Sequence, residues 1–416
     1  MRLPRVVRIK QEFRPTHLED VEGRVGELLA DARLGERIKR GDRIALTAGS
    51  RGIRDKARVL RAIAAALRAA GARPFVVPCM GSHGGGAPHG QVEVLARLGI
   101  TEESVGAPIV SSMETVAVST SRFGSPVLVG RDLTEADGIV VVNRIKPHTD
   151  YTGSVESGLV KMMVIGMGKE AGATIAHGLT LHHGHEAVFI ESATRIMNAL
   201  PVLFGIGIVE NELDATSMVE MLLPETLIEQ ERRLLAVARE HMPYLPFDNI
   251  DVLVIDEIGK NISGACMDPN VTGRRTWTPP PPRPRVMRIF PRRLSAATHG
   301  NAAGIGAADV TVRRLADAID WPVTTANSLA SASPEDARLP LVFDSDREAL
   351  DACIHTCGCT ESRDVRLVWI RDTLALEHLV VSESMIEEAR AVQHVTQTSE
   401  LFELTFDSEG NAESPV

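Results

Sequence analysis

Aromatic side chains are scarce, 4 % of 416 residues, although apolar residues make up 44 %. The core must therefore rest on Ala, Val, Leu and Ile, the packing style of many α/β proteins. Cysteine is also rare, five in the whole chain, which excludes the disulfide framework of a small secreted domain. No stretch approaches the roughly 18 uninterrupted apolar residues of a membrane span. The N-terminal MRLPRVVRIKQEF is basic but lacks the apolar middle of a secretory signal, so the expected location is the cytoplasm, with no membrane partner. An excess of positive charge is missing too. Lys and Arg number 45 against 55 Asp and Glu, a net −10 with both signs interspersed. That argues against a nucleic-acid-binding stripe, while a local cluster of cations can still draw an anionic substrate into a cleft.

What the chain does have is length and alternation. At 416 residues two or three domains are expected. Arg43–Thr47 is a short apolar run that ends in the turn Gly49-Ser50-Arg51-Gly52. From Lys56 to Ala70, Val59, Leu60, Ile63 and Leu67 recur at helical spacing and Gly71 stops the pattern. A strand over Pro74–Pro78, a turn Gly81-Ser82-His83-Gly84-Gly85-Gly86 and a helix through Leu98 follow, and Asp137–Asn143 is a further buried strand. Beyond these, helices near Glu186–Ala199 and Glu225–His241 flank a strand at Val202–Val209. Strand, turn and helix in short alternation mean βαβ units and a parallel sheet. A boundary falls near Pro243–Phe247, and DVLVI at Asp251–Ile255 opens a second α/β unit. The proline run from Thr278 to Pro284 can only be an exposed loop. The polar Asp407–Val416 is expected to fray. No internal repeat is present. The expected fold is α/β: two α/β domains with mostly parallel sheets, residues 1–245 and 246–416, and an active-site cleft between them.

Open α/β sheets bind ligands beyond the carboxyl ends of their strands, and three strand-end loops carry unusual residues. The first holds Ser50, Arg51 and Arg54; the second His83; the third Lys146, His148 and Asp150. Taken alone, a histidine among glycines is more often a turn or capping residue than a catalytic one. The glycine-rich turn does not fit G-x-G-x-x-G, follows the second strand, and lacks the Gly-Lys-Ser/Thr of a phosphate loop, which disfavours a nucleotide site. Lys161 stands at the edge of the apolar run Met162–Ile165. Apolar surroundings disfavour its charged form and suit a nucleophile or covalent anchor, but a snorkelling lysine would give the same pattern. Helical spacing over Lys169–His177 places His177 at a helix end before Gly178. The cluster His182, His183, His185 and Glu186 has imidazoles suited to nickel or zinc without the i, i+4 spacing of a helical zinc site, and reads more readily as surface histidines or as residues supporting a site from behind its ligands. Cys353, Cys357 and Cys359, with His355 among them, lack the second pair that completes a zinc site and read as structural thiols.

The stretch Asn143–His177, NRIKPHTDYTGSVESGLVKMMVIGMGKEAGATIAH, taken with GSRG at Gly49–Gly52 and MGSHGG at Met80–Gly85, resembles the lactate racemase family of nickel-pincer enzymes. The likeness covers most of the N-terminal half and continues more weakly into Asp256–Arg274. By motif position it implies a pyridinium-derived dithio cofactor, the nickel-pincer nucleotide, tethered covalently to Lys161 and holding Ni2+ with His177 as the protein ligand. It implies His83 and His148 as paired acid and base, Arg51 as the carboxylate-binding residue, and Lys260 as a second cationic contact. The implied activity is racemisation or epimerisation at C2 of a 2-hydroxy acid by proton-coupled hydride transfer. The implied partners are that substrate and the enzymes that make and load the cofactor.

The sequence departs from the lactate-specific branch. Gly49-Ser50 stand where that branch has an acidic residue and a histidine before the arginine, and the segment between His148 and Lys161 is longer. That branch's substrate-facing tryptophan has no evident counterpart among Trp277, Trp321 and Trp369. A sugar acid or a dicarboxylic hydroxy acid is therefore at least as good a candidate as lactate. Two rival readings stay open: a cofactor-binding relative without isomerase activity, and a zinc-dependent hydrolase built on His182, His183, His185 and Glu186.

Overall fold

The runs IALTA, FVVP, GIVVVN and VLFGIGIV are rich in β-branched residues and bounded by turn residues, and each forms a strand. They are Arg43–Ala48, Arg73–Pro78, Gly138–Arg144 and Val202–Glu210. The computed structural model describes residues 3–13, 15–31, 38–276 and 278–416, which leaves Trp277 outside the described residues. In it the protein is mixed α/β and its chain divides into two compact units. One comprises Pro15–His148 and Thr152–Met242, the other Met1–Arg14, Thr149–Tyr151 and Pro243–Val416. The division expected from sequence, 1–245 and 246–416, differs from these units at the N-terminus and at Thr149–Tyr151.

In the first unit the sheet runs Arg73–Pro78, Arg43–Ala48, Gly138–Arg144, Val202–Glu210, Thr216–Leu222. The first four strands are parallel and the last is antiparallel. The helix Lys56–Ala69 buries Val59, Leu60, Ile63 and Leu67, the positions its spacing marks out. They join Ile44, Leu46, Val140, Val142, Phe204 and Ile206 in one core. The helix from Lys169 does not end at His177. It continues through Gly178 to His183, and Gly184, at φ 77°, stops it. Gly178 costs the helix some stability but does not terminate it.

In the second unit six strands run Arg285–Pro291, Asn249–Ile255, Leu367–Ile370, His378–Ser382, Val6–Gln11, Val395–Gln397. The first three are parallel, and the pairings from His378–Ser382 onward are antiparallel. Val6–Gln11, which no local pattern assigns, thus supplies a strand here. The C-terminal residues expected to fray are pinned. Ala412 is 4 % exposed, its N–H donates to Asp346 at 2.9 Å, and its carbonyl accepts from the guanidinium of Arg292. Arg292, wholly buried, is paired with Asp256 and Asp346, and its guanidinium lies 4.8 Å from the ring centre of Trp369. Two carboxylates hold a buried cation, and the tail closes over them. No helix among the described residues is long and apolar enough to cross a membrane.

Candidate functional site

Arg43–Ala48 and Gly138–Arg144 are hydrogen-bonded neighbours whose connections leave in opposite directions across the sheet. The first passes through Lys56–Ala69 to Arg73–Pro78, and the second through residues 159–199 to Val202–Glu210. This is a topological switch point, where open α/β sheets accept ligands. The loops flanking it converge on the segment after Lys161. A Cβ on Gly49 would lie 2.9 Å from Met162 Cε and within 4 Å of Cys79 O and Asn143 Oδ1, so the first loop lies directly against the Met162 side chain. Gly81, in the second loop, packs against Ile165 and Ala173.

The segment after Lys161 is unusual in itself. A short α-turn, Leu159–Lys161, passes into a π-helix, Met162–Gly166, before the helix Lys169–His183. π-turns of this kind occur frequently at functional sites. Lys161 is half-buried, and its Nζ is hydrogen-bonded to Nε2 of His148. An ammonium can only donate, so with Lys161 charged the imidazole accepts through Nε2 and carries its proton on Nδ1. Burial is the main reason that the His148 pKa is driven well below 6.5. Lys161, His185, His177 and Lys146, in that order, add positive charge that pushes it further down. The geometry therefore favours a neutral imidazole ready to take a proton. His177 and Lys161 are both half-buried on the π-helix-linked segment.

Buried charged side chains hold each loop by its backbone. Lys56 Nζ donates to the carbonyls of Gly49 at 2.6 Å and Arg51 at 3.1 Å. Burial, with Arg144 assisting and Glu210 opposing, lowers its pKa from 10.5 to about 7. Lys169, at φ 54° and wholly buried, donates to Pro78 O at 2.6 Å, where the second loop starts. Glu156, 2 % exposed, accepts from the His148 N–H at 2.5 Å and the Gly153 N–H at 3.0 Å, and pairs with Arg239 at 2.6 Å. The sequence marks none of Lys56, Lys169 and Glu156, because a charged side chain that reaches a loop backbone leaves no local pattern.

Of the residues expected from sequence, His148, Lys161 and His177 come together, with Lys146 and His185 beside them. From sequence alone His185 belongs to a surface or zinc cluster. Arg51 and His83 are exposed on the adjoining loops. Lys260 belongs to the other unit, where its Nζ donates to Gly264 O at 2.6 Å and its N–H to Thr298 Oγ1 at 2.9 Å. Within that unit a small cavity is lined by Thr149, Asp150, Met267, Arg275, Thr276 and Asp336, among others. Burial raises the Asp336 carboxyl above its ordinary range, partly offset by the hydroxyl of Thr276. His183 stacks on Phe123 at 4.3 Å, and Glu186 accepts from the Ser154 N–H and hydroxyl at 2.9 and 2.6 Å. Among the described residues no three His, Cys, Asp or Glu side chains are grouped to hold a metal. All five cysteines are free thiols.

Fold and site together define an α/β protein with a cationic, histidine-lined site at the switch point of a mainly parallel sheet. Residues 49–223, which include all three strand-end loops and the Lys161 segment, match a family described as a domain of unknown function (DUF362). No curated protein matches the chain. Among solved structures, the lactate racemase apoprotein from Thermoanaerobacterium thermosaccharolyticum is similar at 11 % identity, over 75 % of this chain and 75 % of that one, with a TM-score of 0.45. A likeness at that score carries no chemistry across.

Proposed function

We propose that this chain is a racemase or epimerase acting at C2 of a 2-hydroxy acid, with a nickel-pincer cofactor tethered to Lys161. The observation that carries the reading is the contact between Lys161 Nζ and a buried, neutral His148, with His177 contributing to the same electrostatic field. These side chains are the tether, the base and the nickel ligand that the sequence motifs single out. Their donor chemistry fits such a group. One lysine amine can form the covalent link, and a single imidazole on the following helix can complete a metal site whose other donors come from the cofactor. That need for one protein ligand accords with the lack, among the described residues, of a three-residue metal cluster.

Once bound, the cofactor would supply nickel and a carbon able to accept and return the C2 hydride, which histidine alone cannot abstract. The chain's own residues do the rest. His148 Nε2 takes the hydroxyl proton as a carbonyl forms at C2 and gives it back afterwards. Its depressed pKa keeps it in the base form at neutral pH. His83 serves the opposite hand in the same way. Arg51 grips the carboxylate, so that only the carbonyl end turns over. The polar, cationic surroundings suit a hydroxy acid larger than lactate, such as a sugar acid or a dicarboxylic hydroxy acid.

The test is made on protein co-produced with cofactor-making enzymes and nickel. Peptide mapping should show an adduct on Lys161 that Lys161→Ala abolishes, and a panel of hydroxy acids should then be screened for C2 inversion. An unmodified Lys161, under conditions that load a known nickel-pincer racemase, overturns the proposal. An adduct without inversion of any hydroxy acid leaves a cofactor-binding protein and removes the isomerase.

A further inference from the structure

The helix Leu227–Glu240 grips the chain just before Lys161 with three charged side chains. Arg239 donates to Gly153 O at 2.7 Å and pairs with Glu156, while Arg232 Nε donates to Ser154 Oγ at 2.9 Å. The third, Glu231, is wholly buried. Its Oε2 accepts from the N–H groups of Leu159 at 2.8 Å and Val160 at 2.9 Å, the first two residues of the turn that ends in Lys161. Helix starts leave such N–H groups without intrahelical partners, and a local side chain commonly caps them. Here the N-cap residue is Gly158, which has no side chain to offer. Its lack of a Cβ has another effect, because a Cβ there would overlap both carboxylate oxygens' carbon framework, beginning with Glu231 Oε1. From the strand end at the switch point, Asn143 Nδ2 donates to Gly158 O at 2.9 Å. The peptide ahead of Lys161 is thus fixed from two elements at once.

We infer that Glu231 is a positioning residue for Lys161: through the Leu159 and Val160 N–H groups it fixes the turn that holds the lysine amine against His148. The inference rests on the proposed function only in taking Lys161 as the residue that matters. The π-helix Met162–Gly166 that follows has a less regular backbone ladder than an α-helix, so the anchoring of this turn falls on its N-terminal side. The carboxylate does not touch the reacting groups and acts only through the main chain.

The experiment is competitive amine acetylation of the full, cofactor-free chain with an N-hydroxysuccinimide ester, read by peptide mass spectrometry with Lys10 as internal reference. A lysine held to an imidazole must leave that contact before it reacts. Glu231→Ala should therefore raise the Lys161 rate relative to Lys10 by roughly three- to tenfold, the scale of one or two lost hydrogen bonds. Glu231→Gln keeps an acceptor of the same shape and should restore a rate near wild type, a rescue that a merely space-filling role would not single out from Glu231→Leu. Gly158→Ala displaces the carboxylate without removing it and should reproduce the Glu231→Ala rate, which covers the case where Glu231→Ala does not fold. Wild-type Lys161 rates in folded Gly158→Ala and Glu231→Ala overturn the inference. Because the readout needs no cofactor, a failed search for C2 inversion would remove the racemase and leave this result standing.

Discussion

The two units bury charge in different ways. In the second, Arg292 meets two carboxylates, Asp256 and Asp346, and Arg314 also pairs with Asp346. Opposite charges close on each other and the product is a pinned C-terminal tail. In the first, Glu156 also has an ion-pair partner, Arg239, but Lys56, Lys169 and Glu231 reach backbone carbonyls or N–H groups instead. A peptide dipole compensates a buried charge less fully than a counter-ion does. Lys56 and Glu231 are accordingly moved to about 7 from opposite directions, burial being the largest cause for each. Ion pairing makes a rigid structural node, whereas backbone anchoring holds the strand-end loops and the Lys161 turn, with Lys56 and Glu231 both poised near neutrality.

Breaking the structural node should have the largest effect. Arg292→Ala leaves buried Asp256 without its cation and Asp346 with Arg314 alone, and should cost about 3–5 kcal/mol in chemical denaturation, while the Lys161 acetylation rate of the folded fraction stays at the wild-type value. A cost below about 1 kcal/mol would put this network on a par with a surface ion pair and erase the contrast. Glu231→Gln tests the other side. The carboxyl, raised from 4.5 to about 7, binds its proton more tightly in the folded state. Its contribution is fully present below pH 4.5 and is lost as pH rises through about 7. The Gln variant lacks this loss, so its melting temperature should gain on wild type between pH 4.5 and 7, by up to about 3 kcal/mol of stability. Parallel pH profiles would show that Glu231 is ionised and paired.

Lys56→Met sharpens the same point with the sign reversed. A lysine lowered to about 7 is neutral in the folded protein while the unfolded chain is still protonated, so wild-type stability should climb between pH 7 and 10.5. The variant should lose that climb, and about 1–3 kcal/mol with the two carbonyl contacts. With Arg51 no longer held, KM for the proposed hydroxy-acid substrate should rise more than kcat falls. The smallest expected effect is at His148. Burial dominates its depressed pKa and Lys161 is the next contributor, so Lys161→Met should move the imidazole's titration upward but leave it below 6.5, as followed by histidine NMR. No movement would mean that the amine is not held at the ring.

Much of the first unit was legible because its signals are local. Val59, Leu60, Ile63 and Leu67 mark one helical face, and apolar runs of five to seven residues mark strands. The loops bearing Arg51, His83 and His148 could be placed at strand ends for the same reason. Partners from elsewhere in the chain could not. Glu231 sits inside an amphipathic helix where a glutamate normally faces water, and nothing nearby marks it as the cap of Lys161. His185 looked like part of a surface cluster until the helices on either side of Gly184 brought it to His148. The strand Val6–Gln11 and the pinned Ala412 depend on pairing with distant segments, so a polar tail read alone looks free. Helix continuation through Gly178 shows the limit of a propensity rule: one glycine costs about 1 kcal/mol, and the surrounding packing outweighs it.

The π-helix at Met162–Gly166 also limits how this segment can vary. A π-turn holds one residue more than the α-turn it replaces, so a single deletion there is absorbed when the turn becomes α-helical. Lys169, at φ 54°, interrupts the helical path between Met162–Gly166 and His177, so the two stretches do not share one axis. The placing of His177 relative to Lys161 is thus written in one left-handed residue as well as in the identity of the lysine and the histidine.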